Sequence, residues 1–108
     1  MRRGEIWTAA GPGDAGKPRP VVVVQDDRFD ATASVVVCPF PTNPTEAPLF
    51  RPAVEPSPAN GLHETSRLMV DKLTAVPREH VRDRVGTLAP EHLLALERSI
   101  IVFLGMAD

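Results

Sequence analysis

Apolar and polar residues change their period twice along the chain. "GEIWT" alternates, which predicts a first strand over Gly4–Thr8 with Ile6 and Trp7 on opposite faces. "AAGPGDAGKP" has no apolar period, and its glycines and prolines read as a loop. Four valines follow without interruption. They predict a strand over Pro20–Gln25 buried on both faces, because β-branched runs pack well between two layers. "DDRFDAT" turns the chain, and "ASVVVCPF" predicts a second buried strand over Ala33–Phe40, ended or bulged at Pro39.

The signal then thins. A weak edge strand is expected over Phe50–Glu55, with a turn at "PSPANG". Ser66–Val76 reads as one strand, with Leu68 and Val70 inward and Leu73 and Val76 inward after a bulge. "PREHV" resembles one helical turn, and "RDRVGTL" a last short strand. From Ala89 to Gly105 the period becomes helical. Pro90 suits a first helical position, Glu91 suits the positive end of the helix dipole, and Gly105 suits the stop. Leu93, Leu94, Leu96, Ile100, Ile101 and Leu104 outline a wide apolar stripe. Short strands followed by one helix predict an α+β, mainly β domain: a small, strongly curved sheet or barrel with a C-terminal helix.

Composition narrows the picture. The chain has 108 residues, which suits a single domain spanning 1–108, and a core of that size makes pairing of two copies unsurprising. The net charge of -2 gives no general attraction to nucleic acid, so any such contact needs a local basic patch. A single cysteine and no long apolar run predict a cytoplasmic protein with no intramolecular disulfide and no membrane span. Of the chain's twelve prolines, seven fall within 39–58, where Leu49, Phe50 and Val54 supply apolar anchors; stiff loops between short edge strands are expected.

Few residues carry chemistry. His63, His80 and His92 lack a second histidine at ligand spacing, so they read as surface residues and no metal is expected. Cys38, among valines, reads as a buried and inert thiol. No phosphate-binding glycine motif is present, and no cofactor is expected. Arg19 is different. Pro18 and Pro20 restrict the backbone on both sides of it, and a rigid frame is what an arginine acting on a phosphate requires.

Five blocks in order, "MRRGEIW", "KPRPVVVVQDD", "VVVCPFPTN", "SRLMVDKLTAVPREHV" and "VGTLAPEHLLALERSIIVFLG", resemble the MazF/PemK toxins of type II toxin–antitoxin systems. The resemblance covers nearly the whole chain. It implies an SH3-like barrel of the kind shared with CcdB, plus a C-terminal helix, usually as a homodimer. It also implies a metal-independent endoribonuclease that cuts single-stranded RNA, leaving a 2′,3′-cyclic phosphate and a 5′-hydroxyl, and a cognate antitoxin as partner. The family's catalytic arginine falls on Arg19. Its catalytic hydroxyl falls near Thr42, one residue late, because Pro41 occupies the usual position. Trp7, Lys17, Asn43, Arg67 and Lys72 are the candidate RNA-binding residues; Phe40 and Phe50 are further candidates for base stacking, and Arg51 for the RNA backbone. Two alternatives stand beside this: a gyrase poison of the CcdB kind, and a non-catalytic SH3-like binding module.

Overall fold

The valine runs sit where strands are shielded on both faces. In the computed structural model, which describes residues 1–10, 17–41 and 51–106, five strands form one antiparallel sheet: β1 (Glu5–Ala9), β2 (Arg19–Val23), β3 (Ser34–Pro39), β6 (Thr74–Pro77) and β7 (Val81–Thr87). Their order is β6-β3-β2-β1-β7. A separate pair joins β4 (Ala53–Val54) to β5 (Ser66–Arg67). One helix, α1 (Pro90–Phe103), closes the chain.

Register sorts the side chains into two apolar layers. Ile6 stands opposite Val22 and Val22 opposite Cys38, a buried row across three strands. Phe40, Val54, Leu68, Val70, Leu88 and Leu96 join that cluster. On the other face Val23 opposes Val37 and Val35 opposes Val76, and these residues form the second cluster with Ala9 and Val21. Trp7 packs there, opposite Ile6 as the alternation predicts.

Three expectations are corrected. First, β6 and β7 do not pair with each other among the described residues, so the sheet is open rather than a closed barrel. Pro77 ends β6 without an N–H to donate, a 3₁₀ turn (Arg78–His80) leads straight into β7, and β7 gives its ladder to β1. Second, Ser66–Val76 is not one strand. A 3₁₀ turn at Val70–Lys72 divides it into β5 and β6, and Arg51 clamps that turn through two hydrogen bonds to Asp71, at 2.8 and 2.7 Å. Third, the apolar stripe on α1 is narrower than its sequence suggests. Leu96 is fully buried and Leu93 and Ile100 pack on the first cluster, whereas Leu94, Ile101 and Leu104 are 47%, 42% and 55% exposed. Within the proline-rich stretch, Val54 is a buried anchor; Leu49 and Phe50 lie outside the described residues, as does most of the glycine-rich segment after Ala10.

Candidate active site

The sheet's apolar rows stop short of one end of β1–β3. There Thr8 stands opposite Pro20 and Val21 opposite Pro39, with Phe40 and Pro41 following. Three prolines at this end leave the backbone without donors, so strands cannot close the space. A cleft of about 400 Å³ opens. Thr8, Arg19, Pro20, Phe40 and Pro41 form one wall. Gly61, Leu62, His63, Glu64, Ser66 and Val85 form the other.

Arg19 is the first residue of β2, paired with Ala9. Its Nε is buried and has no hydrogen-bond partner among the described residues. Most of the chain's other described arginines are engaged. Arg51 pairs with Asp71, Arg84 with Glu5 and Arg28 with Asp26, while Arg78 donates to the carbonyls of Thr32 and Phe29. A buried polar atom without a partner is costly to the free protein; Arg3 Nε and His92 Nδ1 share that state, but Arg19 alone of the three lines the cleft. The fixed fork of a guanidinium matches a phosphate or carboxylate.

The facing wall is a loop locked in place. Asn60 is buried, and its Oδ1 accepts hydrogen bonds from the N–H groups of Ser57 and Leu62, both at 3.0 Å. Its Nδ2 donates to the Glu55 carbonyl at 2.8 Å. The Thr87 N–H donates to the Ala59 carbonyl at 2.9 Å, tying the loop to β7. A Cβ on Gly86 would lie 2.4 Å from that same carbonyl oxygen, so the loop lies directly on the β7 backbone. Thr65 Oγ1 donates to Glu55 Oε2 at 2.7 Å and Ser66 Oγ to the Glu64 carbonyl at 3.1 Å, which fixes the stretch between.

The sheet beneath is electrostatically settled. Burial pushes the Cys38 thiol up to about 12, with nearby Asp71 adding to the effect against Arg51, so this sulfur is no nucleophile. Burial raises the Glu5 carboxyl, but hydrogen bonds from the Arg2 N–H and the Trp7 indole, with the Arg84 charge, bring it below its ordinary value. Among the described residues no group of three His, Cys, Asp or Glu side chains is placed to hold a metal ion.

Of the residues singled out from sequence, the cleft gathers Arg19 and Phe40, the latter buried within the core. Trp7 faces the second apolar cluster on the other side of the sheet. Lys17 and Lys72 are exposed, and Arg67 donates to the Arg51 carbonyl at 3.2 Å. None of these four lines the cleft. Thr42, Asn43 and Phe50 lie outside the described residues. Thr8, His63 and Glu64 are among the lining residues not singled out as site residues. The polar run "HETS" after a glycine, between two short strands, is the signal that marks two of them.

An arginine with a buried, unpartnered Nε at a cleft of about 400 Å³ has the chemistry to hold a phosphoryl or carboxylate group. Residues 2–104 match the family described as PemK-like, MazF-like toxin of type II toxin-antitoxin system, and the chain belongs to that family. It is 56% identical over 108 residues to a probable endoribonuclease MazF of Mycolicibacterium smegmatis, covering 99% of each chain. It is 26% identical over 116 residues to endoribonuclease MazF9 of Mycobacterium tuberculosis, covering 98% of each. Two solved structures share the fold: a mycobacterial endoribonuclease in complex with its cognate antitoxin (TM-score 0.82, 18% identity, 100% of this chain and 98% of that one), and Mycobacterium tuberculosis toxin MazF-mt6 (TM-score 0.79, 22% identity, 96% and 99%).

Proposed function

We propose that this toxin is an endoribonuclease that cleaves single-stranded RNA, with Arg19 as its catalytic arginine. The observation that carries the proposal is the buried, unpartnered Nε of Arg19 at the wall of a cleft large enough for a nucleotide. In the reaction, the ribose 2′-hydroxyl attacks the adjacent phosphorus. Negative charge accumulates on the non-bridging oxygens, and a preorganised guanidinium stabilises it without reorganising. The products are a 2′,3′-cyclic phosphate and a 5′-hydroxyl, and no metal ion is required. Thr42 is proposed to add a hydroxyl donor to the same oxygens. Trp7, Lys17, Arg67 and Lys72, which lie outside the cleft, are proposed to contact the RNA strand where it runs beyond it, and Asn43 is proposed as a further contact.

A cytoplasmic location is part of the proposal, since the proposed substrate is RNA; no helix among the described residues is long and apolar enough to cross a membrane. The family is defined by toxin–antitoxin pairs, so a cognate antitoxin is the expected partner. An acidic segment laid across the cleft would engage Arg19 and block RNA. The exposed apolar residues at the end of α1 support pairing of two copies.

The test is incubation of the pure protein with a long single-stranded RNA in EDTA, beside Arg19→Ala. Cutting that survives the chelator and disappears in the variant is expected. No cutting, or undiminished cutting by Arg19→Ala, refutes the proposal; inhibition of DNA gyrase in its place would identify a poison of the CcdB kind.

A further inference from the structure

A ribonuclease of this kind needs more than charge stabilisation. The 2′-hydroxyl must lose a proton as it attacks, and the 5′-oxygen must gain one as it leaves. Arginine does not release its proton in proteins, and aliphatic hydroxyls do not titrate near neutral pH. Those limits remove Arg19, Thr8 and Ser66 from the proton transfers. Of the described residues that line the cleft, His63 and Glu64 are the two whose side chains can exchange a proton there.

Their setting also distinguishes them. Both are exposed, and neither side chain is held by a hydrogen bond or ion pair among the described residues. The backbone on either side of them is tethered, by the Asn60 hydrogen bonds to Glu55 and Leu62 before and by Thr65 to Glu55 and Ser66 to the Glu64 carbonyl after. Both side chains are free and line the cleft that Arg19 also lines, so they are available to a substrate bound there.

We propose that His63 and Glu64 are the general acid and general base of the cleavage; this rests on the ribonuclease reading above. The Glu64 carboxylate takes the 2′-hydroxyl proton as the 2′-oxygen forms its bond to phosphorus. The bond from phosphorus to the 5′-oxygen breaks, its electron pair goes to that oxygen, and the protonated His63 imidazole supplies the proton. The enzyme ends with Glu64 protonated and His63 neutral, and exchange with water restores both.

The experiment uses two oligonucleotides built on a junction cut in the long RNA. One is ordinary, and the other carries sulfur in place of the bridging 5′-oxygen, a leaving group that departs without a proton. His63→Ala is expected to lower kcat on the ordinary substrate about 100-fold with KM little changed, and to cut the sulfur substrate nearly as fast as wild type. Glu64→Gln and Arg19→Ala should be slow on both. The high-pH limb of the kcat profile, where the acid loses its proton, should vanish in His63→Ala. A His63→Ala variant as fast as wild type on the ordinary substrate, or equally slow on both, overturns the acid assignment. A fast Glu64→Gln overturns the base. Should wild type cut neither, the ribonuclease reading itself fails and this proposal with it; should Arg19→Ala cut both at the wild-type rate, Arg19 and its cleft are not the catalytic site, and this proposal falls for that reason. Equal melting temperatures for the variants and wild type establish that folding is not the cause.

Discussion

Gly61 lies so close to Val85 that a Cβ on it would stand 2.4 Å from the Val85 carbonyl oxygen, and its φ of +69° is one that side chains rarely adopt. Contact and conformation both exclude a larger residue. Gly61→Ala should therefore destabilise the fold by about 1–3 kcal/mol, read as a shift of the denaturant midpoint. The same change should depress RNA cleavage at temperatures where the protein remains folded, because His63 follows two residues later. An unmoved midpoint would show that the loop does not rest on β7.

Arg19 invites the opposite expectation for stability. Its Nε has no partner to lose, so Arg19→Ala should leave the melting temperature unchanged or raise it slightly, while cleavage disappears. Arg19→Lys should also fail, because an ammonium cannot reproduce the planar fork. Differential scanning calorimetry beside the RNA assay checks both; a sharp loss of stability in Arg19→Ala would mean that the side chain has a structural partner.

The Arg51–Asp71 pair sets an acid limit. The Arg51 hydrogen bonds hold the Asp71 carboxyl below its ordinary 3.8, so the folded state favours the ionised form. A depressed carboxylate contributes stability above its unfolded value and loses it as pH falls through the folded one. Unfolding should become easier below about pH 3.8, and Asp71→Asn should flatten that part of the curve. Some slope will persist, since Glu5 is also held below its ordinary 4.5. An Asp71→Asn curve parallel to wild type in thermal melts from pH 5 to pH 2 would contradict the assignment.

Cys38 is fully buried, and its thiol is pushed up to about 12. A thiol-reactive dye at pH 8 should label the native protein far more slowly than the unfolded chain. Labelling at equal rates would place the sulfur outside the core.

On α1, Leu96 and Leu94 are two residues apart with opposite surroundings: one is fully buried, the other 47% exposed. Leu96→Ala should cost about 2–5 kcal/mol, as truncations in packed cores do. Leu94→Ala should cost far less in a monomer. Urea denaturation of the two variants separates them; equal losses would mean that Leu94 is covered by something in solution.

How far the fold is legible depends on the range of the force that shapes each element. The valine runs at 21–24 and 35–37 declare themselves because burial on both faces is written in consecutive residues. The helix is equally plain, though its period cannot say which apolar residues face the core and which face outward. The break between β5 and β6 is illegible because it depends on Arg51, twenty residues from Asp71 in sequence. Arg19 stands out as a candidate because its frame is local, two prolines beside it. His63 and Glu64 do not, because the fixed loop that carries them to the cleft is held by Asn60 and by β7, and no spacing near "HE" reveals that. Thr42 and Asn43 lie outside the described residues.

An uncompensated guanidinium leaves the free protein in a state that any suitable anion improves. With Arg19 in its proposed role, RNA, an acidic peptide or an inorganic anion bound there would each stabilise the folded chain by an amount that grows with its concentration relative to its dissociation constant. Inhibitor and substrate would then converge on a single charge, and release from inhibition would become a contest of concentrations at Arg19.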